Sequence, residues 1–178
     1  MKRSELEHAI RAAGDIAGDR DFIVIGSQAI LGAYPNAHPD VTQSVEVDLY
    51  PRNHPERSDL LDGAIGELSP FHDTHGFYVH GVGPETATLP EGWKRRLIPL
   101  RNANTGGHTG WCLEPHDLAA SKLVAGRERD REYVSALLRH GYVKAATLAR
   151  RLPRLPVPKS RSGALAAWVA AEATKLPR

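Results

Sequence analysis

Two short stretches, Phe22-Ile-Val-Ile-Gly-Ser27 and Ser44-Val-Glu-Val-Asp-Leu-Tyr50, decide how the chain folds. The first is a run of β-branched and apolar residues, typical of a buried strand, that ends at a glycine and a serine. An apolar helical stretch at residues 28–34 follows directly, so the sequence predicts a strand, a tight turn and a helix. Such a junction presents backbone N–H groups and the positive end of a helix to an anion.

The second stretch alternates valine and leucine with polar residues. On a strand, this period of two places Glu46 and Asp48 side by side on one face. Adjacent carboxylates repel each other unless a cation lies between them, and Mg²⁺, or Mn²⁺ in its place, is the usual candidate for oxygen ligands. The pair therefore predicts a metal site, with a solvated strand face as the alternative.

The composition is that of an ordinary globular chain: 178 residues, 41% hydrophobic and 25% charged. This length suits one domain with a substantial core. The single cysteine, Cys112, excludes a disulfide framework and fits a reducing compartment. Because no apolar run reaches the length of a membrane span and the N-terminus lacks a signal-peptide core, we expect a cytoplasmic protein with no membrane association.

Charge is distributed unevenly along the chain. Residues 127–178 contain 12 of the 23 Lys/Arg residues but only 4 of the 21 Asp/Glu residues. Residues 1–126 contain the remaining 11 Lys/Arg and 17 Asp/Glu. An acidic first part joined to a basic tail favours a polyanionic macromolecular substrate, whereas a solvated helical surface would give the same counts. On the first interpretation, Arg150, Arg151 and Arg154 are expected to guide RNA.

The remaining pattern predicts an α+β fold. Ser4-x-x-Glu7 has the form of a capping box that opens a helix running to about Ala17. A second helix is predicted over 55–68, followed by a loop at 72–75. The residues expected to face inward from this second helix are Leu60, Leu61, Ala64, Ile65 and Leu68.

Short strands are predicted at residues 77–82, 95–100 and 110–113, and only helices are expected after Pro115. We therefore expect a small mixed sheet flanked by helices in residues 1–114. Residues 115–178 should form a helical part of the same compact unit.

A second group of polar residues lies in Asp117-Leu-Ala-Ala-Ser-Lys-Leu-Val-Ala-Gly-Arg-Glu-Arg-Asp130. On one continuous helix, Lys122, Gly126 and Asp130 would follow one face at i, i+4 and i+8. Small neighbouring residues would let a triphosphate approach Lys122, which would neutralise it as a point cation. Asp130 could orient Lys122, hold a metal through water or accept a proton. The alternative is an exposed helix with salt bridges.

A Gly-Ser turn, a short helix and a carboxylate-x-carboxylate strand together resemble the nucleotidyltransferase superfamily built on the palm of DNA polymerase β. This resemblance implies that Gly26 and Ser27 hold the triphosphate of an NTP and that Glu46 and Asp48 hold the catalytic metals. It also implies a palm-type sheet.

With Lys122-Leu and Arg127-x-x-Asp130 added, the order of motifs over residues 20–140 resembles the AbiEii/MenT-type toxins. That narrower resemblance implies catalytic roles for Lys122 and Asp130 and transfer of a nucleotide to RNA, including tRNA. It also implies an antitoxin protein as a partner.

The sequence departs from the superfamily pattern at two positions. Glu46 stands where aspartate is usual. The strand at 77–82, where a third carboxylate is often found, carries His80 and no acid. The chain then works with two carboxylates plus Asp130, or its activity is weak or lost. His72 and His75, with His80, could bind zinc, but lacking a fourth ligand they are interpreted as solvated histidines.

Two other classes of function remain open on the sequence. One is a catalytically degenerate domain that binds nucleotide, RNA or a partner protein. The other is a nucleotidyltransferase of the antibiotic-modifying kind, with a small-molecule acceptor. The basic tail favours RNA over a small acceptor.

Overall fold

The computed structural model describes residues 1–176 and has the predicted α+β architecture. The chain divides into two compact units. The first contains residues 1–86 and 97–113, and the second contains residues 87–96 together with the chain from Glu114 onward. The division at residue 114 based on sequence did not separate the segment 87–96 from the first unit.

Helices alternate with strands in the first unit, and the second unit is helical. The elements of the first unit are α1 (Arg3–Ala17), β1 (Asp21–Val24), α2 (Ile30–Ala33), β2 (Glu46–Pro51), α3 (Ser58–Ile65), α4 (Pro70–His75), β3 (Tyr78–Gly81), β4 (Ile98–Leu100) and β5 (Thr109–Cys112). Those of the second are α5 (Pro115–Ala125), α6 (Glu128–Arg139), α7 (Ala145–Arg151) and α8 (Lys159–Ala173). A 3-10 turn, Ser27–Ala29, leads into α2.

Within residues 1–176, the strands form one mixed sheet of five in the order β3-β2-β1-β5-β4. The central strand β1 pairs antiparallel with β2 and parallel with β5. β2 also pairs parallel with β3, and β4 pairs antiparallel with β5. Along β2, Val47 and Leu49 are fully buried whereas Glu46 and Asp48 are half-buried, so the predicted alternation is confirmed over residues 46–49. It fails on either side, where Val45 is 45% exposed and Tyr50 is buried.

α1 covers the sheet of the first unit and also packs against α3. Its end at Ala17 is confirmed, but the capping box predicted at Ser4 and Glu7 is wrong. The box joins Lys2 and Glu5 instead, since the Lys2 backbone N–H donates to the Glu5 carboxylate at 2.5 Å. Glu7 lies in the helix interior, only 6% exposed.

The helix predicted over 55–68 is shorter than expected, because α3 ends at Ile65 and the backbone becomes extended at Gly66. Leu61 and Ile65 face the core as predicted. The other three residues expected to face inward are exposed: Leu60, Ala64 and Leu68. The loop predicted at 72–75 is also wrong. The Ser69 hydroxyl caps α4 by accepting the His72 N–H at 3.2 Å, so these residues are helical.

In the second unit, α5 packs against α6 and α7, and α8 packs against α7. α5 ends where Gly126 adopts φ 72°, a left-handed conformation that favours glycine, and Arg127 then caps α6. The single helix face predicted through Lys122, Gly126 and Asp130 is therefore wrong. In the part of the chain that the structure describes, no helix is long and apolar enough to span a bilayer.

Candidate metal and nucleotide site

Three side chains from two adjacent strands of the first unit converge on one point. Glu46 and Asp48 project from the same face of β2, and His80 on β3 pairs in register with Asp48. The Nδ1 atom of His80 lies 2.8 Å from Oε1 of Glu46 and 3.1 Å from Oδ1 of Asp48. All three side chains are partly exposed, so the group is open to solvent and to a ligand.

The electrostatics of this group favour a cation. Burial and the neighbouring Asp48 carboxylate raise the pKa of Glu46 above its ordinary value, although His80 acts in the opposite direction. Burial lowers the pKa of His80, but the hydrogen bond and the charge of Asp48 outweigh it and raise the pKa overall. In both groups, negative charge concentrated on one strand face contributes to the raised pKa.

The Gly-Ser turn lies directly against this carboxylate pair. The Ile25 backbone N–H donates to the Asp48 carbonyl at 3.0 Å, so β1 remains paired with β2 up to the turn. A Cβ atom at position 26 would lie 2.8 Å from the carboxyl carbon of Asp48 and closer still to Oδ2. Only glycine leaves room for Asp48 there. The 3-10 turn then begins at Ser27, directly after Gly26, and α2 follows at Ile30.

A second tie joins the turn to β2. Gln28 is fully buried, and its Nε2 donates to the carbonyl of Ser44 at 2.8 Å. The turn is thus attached to the chain just before Glu46 as well as to Asp48 itself. This double attachment holds the Gly-Ser turn against the two carboxylates.

The donor atoms of the group suit a divalent cation. One atom from each of Glu46, Asp48 and His80 lies within 4.8 Å of the others. Carboxylate oxygens are typical ligands of Mg²⁺ and Mn²⁺, and an imidazole nitrogen is a typical ligand of transition metals. The sequence singles out His80 where an acid is missing and as a zinc candidate with His72 and His75, but not as a partner of Glu46 and Asp48. Its place beside Asp48 follows from the parallel pairing of β2 and β3, which the sequence does not reveal.

In the second unit, Lys122 and Asp130 form an ion pair, although they belong to different helices. The Lys122 ammonium lies 3.5 Å from Oδ1 of Asp130 and 5.7 Å from the ring centre of Tyr133. The Asp130 side chain is only 2% exposed, and Arg127 donates to both of its oxygens at 2.7 and 3.2 Å. Burial raises the pKa of Asp130, but Arg127 and Lys122 outweigh it and lower the pKa overall. Of the three roles considered for Asp130, this geometry fits the orientation of Lys122.

The three tail arginines differ in their surroundings. Arg151 is enclosed in the second unit, where it binds Glu114 and lies 2.8 Å from Oδ1 of the fully buried Asp117. Its charge is therefore compensated internally. Arg150 donates to the Thr147 hydroxyl at 3.2 Å, and Arg154 is exposed. These last two are the better placed to meet a polyanion.

The histidines considered as zinc ligands contact different residues and do not form one cluster. The imidazole of His72 accepts the Leu68 N–H and lies 4.8 Å from the ring of Tyr78, centre to centre. His75 instead packs edge-on against His8, with the two ring centres 4.5 Å apart. Within residues 1–176, neither belongs to a group of side chains that could hold a metal together with His80.

Comparison with known protein families agrees with the geometry of the first unit. Residues 4–152 match the family described as "Nucleotidyltransferase of unknown function (DUF6036)". The chain belongs to this family. The match includes every residue of the candidate metal and nucleotide site, and of the three tail arginines it includes Arg150 and Arg151 but not Arg154. No curated protein and no solved structure shows significant similarity to the chain.

Membership supports the nucleotidyltransferase superfamily that the Gly-Ser and Glu-x-Asp motifs indicated. It also agrees with the observed α+β fold and mixed sheet. The family description names neither an acceptor nor the AbiEii/MenT group.

Proposed function

We propose that this protein transfers a nucleoside monophosphate from an NTP to an acceptor hydroxyl, with a divalent cation held by Glu46 and Asp48. The observation that carries this proposal is the convergence of the two carboxylates beside the Gly26 turn. In the reaction, the acceptor oxygen forms a bond to the α-phosphorus of the NTP. The bond between the α-phosphorus and the oxygen that bridges it to the β-phosphate breaks. Pyrophosphate and the hydroxyl proton leave.

Mg²⁺ or Mn²⁺ bound at this point would neutralise phosphate charge and acidify the attacking hydroxyl. The contribution of the chain is to position its ligands. The ladder between β1 and β2 fixes the backbone of Asp48, and Gly26 leaves space for its carboxylate. Catalysis then depends mainly on orientation and electrostatic stabilisation.

We assign binding of the terminal phosphates to Gly26 and Ser27, and on the family resemblance we assign Lys122 a role in nucleotide binding. The support for the first pair is that a helical run begins at Ser27, directly beside the carboxylates. The support for Lys122 is its ammonium, which a buried and ionised Asp130 orients. Asp130 acts as a positioning residue in this scheme.

RNA, and tRNA in particular, is the acceptor we favour. The basic residues 127–178 and the exposed Arg154 support it, as does the resemblance of the motif order to AbiEii/MenT-type toxins. On that resemblance the protein would be a toxin controlled by an antitoxin protein. The single cysteine, which is buried, supports the cytoplasm as the compartment.

One observation favours a second candidate function, a domain that binds nucleotide or RNA without transfer. His80 occupies the strand position where the superfamily often has a third carboxylate, and it bridges the two that remain. A protonated imidazole there could replace the metal and leave the domain inactive. With a small-molecule acceptor the reaction would be the same nucleotidyl transfer, but the basic residues 127–178 would have no role in binding the acceptor.

Each α-³²P-labelled NTP, supplied with Mg²⁺ or Mn²⁺ and total RNA, separates these alternatives. Label on RNA that an Asp48→Asn variant does not produce supports the proposal. Label on a small molecule would instead assign the protein to the nucleotidyltransferases of the antibiotic-modifying kind. If the NTP binds but no acceptor is labelled with either metal, the non-catalytic function stands.

A further inference from the structure

His80 makes an unusual contact for a surface histidine. A single ring nitrogen, Nδ1, faces oxygens of two different carboxylates, at 2.8 Å from Glu46 and 3.1 Å from Asp48. A neutral imidazole has at most one N–H at that atom, so one hydrogen would be shared by two acceptors.

The spacing of these atoms matches the coordination sphere of a metal. In an octahedral site with metal–ligand bonds of about 2.1 Å, adjacent ligand atoms lie about 3.0 Å apart. The two separations from Nδ1 fall on either side of that value. One ligand atom from each of the three side chains also lies within 4.8 Å of the other two, so all three can reach one ion.

We propose that His80 is the third protein ligand of the metal site and that it makes the site selective for Mn²⁺ over Mg²⁺. This inference rests on the proposed metal site at Glu46 and Asp48. It goes further because it assigns a ligand and a metal preference that two carboxylates alone would not give.

The imidazole nitrogen of His80 is the reason to expect a preference for Mn²⁺ over Mg²⁺. Mg²⁺ is bound in proteins mainly through oxygen, whereas imidazole favours first-row transition metals. Mn²⁺ accepts both carboxylate and imidazole ligands. A site with two carboxylates and one imidazole therefore loses little affinity for Mn²⁺ and more for Mg²⁺, compared with a site of three carboxylates.

The exposure of the three side chains is also what a substrate-binding metal needs. The exposed fractions are 46% for His80, 35% for Glu46 and 25% for Asp48. Three protein ligands on one side leave the remaining positions open on the solvent side. Phosphate oxygens or water can enter there without rearrangement of the sheet.

The test uses the purified full-length protein without nucleotide. Isothermal titration gives the affinities for Mn²⁺ and Mg²⁺, and electron spin echo envelope modulation of bound Mn²⁺ detects a coordinated ¹⁴N nucleus. The variants are His80→Asn, His80→Asp and the control His54→Asn. His54 is matched to His80 because it is also 46% exposed and lies 3.1 Å from a carboxylate, that of Glu56.

The expected result is a ¹⁴N signal in the wild type and in His54→Asn that is absent in His80→Asn. Mutation of residues that only hydrogen-bond to a metal ligand lowers metal affinity by about 10- to 100-fold. Loss of a ligand itself in His80→Asn should therefore weaken Mn²⁺ binding at least about tenfold. His80→Asp should restore three carboxylates and shift the affinity ratio toward Mg²⁺ by about tenfold. Circular dichroism confirms that each variant is folded.

Equal Mn²⁺ affinity in the wild type and His80→Asn, or bound Mn²⁺ without a nitrogen signal, would overturn the inference. So would a folded wild type that binds no Mn²⁺. Failure of the proposed function is distinguishable, because Mn²⁺ coordinated by His80 in a protein that labels no acceptor supports the ligand assignment and removes only the transfer reaction.

Discussion

Gly26 and Asp48 are in contact so close that no side chain fits between them. A Cβ at position 26 would lie 2.8 Å from Cγ and 2.9 Å from Cβ of Asp48. Because the Cβ of Asp48 is fixed by its strand, rotation of the carboxylate alone cannot relieve the overlap. The Gly-Ser turn and the Glu-x-Asp strand are therefore one structural feature rather than two motifs that happen to occur in sequence.

Gly26→Ala should displace the Asp48 carboxylate and reduce nucleotidyl transfer by at least about tenfold. Overpacking of this kind costs about 1–3 kcal/mol of the free energy of unfolding, so the protein should remain folded. The measurement is label incorporation together with a chemical unfolding curve. Gly63→Ala is the control, since a Cβ at that exposed helical position meets nothing within 4 Å. Full activity in Gly26→Ala would show that the turn does not constrain the site.

Asp48→Ala should abolish transfer while leaving the melting temperature within a few degrees of wild type. Asp48 is partly exposed, at 25%, and lies outside the buried apolar core, so its truncation leaves no cavity there. Removing one of two adjacent carboxylates also relieves repulsion. Glu56→Ala is the control, because Glu56 likewise pairs with a histidine but lies outside the site. Near wild-type incorporation by Asp48→Ala would contradict the assignment of the metal ligands.

Lys122→Ala should weaken NTP binding by about 10- to 100-fold. A charge-assisted hydrogen bond is worth about 1.5–3 kcal/mol, and each 1.4 kcal/mol is a factor of about ten. Lys159→Ala removes the same charge from an exposed position of the same unit and should not change the affinity. Titration of an NTP against both variants measures the difference. Equal NTP affinities of the two variants would mean that Lys122 serves only as the partner of Asp130 in a structural ion pair.

The sequence predicts the centre of the fold well, because local pattern and burial agree there. The β-branched run before Gly26 and the alternation around Asp48 each have one interpretation, and the structure confirms both. The order of the two motifs was enough to identify the superfamily. The contact that joins the two motifs, in which Asp48 fills the space of a Cβ at position 26, is tertiary and cannot be seen in the sequence.

Most of the wrong predictions come from local signals that tertiary contacts override. Ser4 and Glu7 have the spacing of a capping box, yet Glu7 is buried in a polar network with residues almost a hundred positions away. The spacing of Lys122, Gly126 and Asp130 predicts one helix face, but the left-handed conformation of Gly126 separates Lys122 and Asp130 onto two helices. One error was avoidable, since Ser69-Pro70 is a recognisable helix start.

The buried carboxylate of Glu7 gives a prediction about acid stability. Burial raises its pKa, but hydrogen bonds from Asn104, Asn102 and Arg3 outweigh this and hold the pKa below the ordinary 4.5. The folded state therefore binds this proton less readily than the unfolded state. The resulting stabilisation is present above about pH 4.5 and is lost as the pH falls through the folded pKa.

Glu7→Gln should accordingly be less stable than wild type by about 1–3 kcal/mol at pH 7, and the difference should shrink toward pH 3. Urea unfolding at several pH values measures it. Glu67→Gln, at an exposed position of the same unit, serves as the control. A difference between Glu7→Gln and wild type that stays constant from pH 7 to pH 3 would mean that the network does not depend on the charge of Glu7.

The tail prediction is limited to two of its three arginines. Arg151 binds Glu114 and the buried Asp117, so reversing its charge would place three carboxylates together and disrupt the second unit. Arg150 and Arg154 carry no such risk. If they meet the phosphates of an RNA acceptor, binding must release counterions and must weaken as salt is added.

Arg150→Glu combined with Arg154→Glu should weaken RNA binding across sequences and reduce the slope of log affinity against log salt by about 1–2, since each phosphate contact on a single strand contributes about 0.7. NTP affinity should not change. The matched control reverses Arg20 and Arg101, two exposed arginines of the first unit, and so alters the net charge equally. An equal loss in both double variants would reflect net charge alone. Unchanged RNA affinity in the tail variant would remove the tail from acceptor binding and favour a small acceptor.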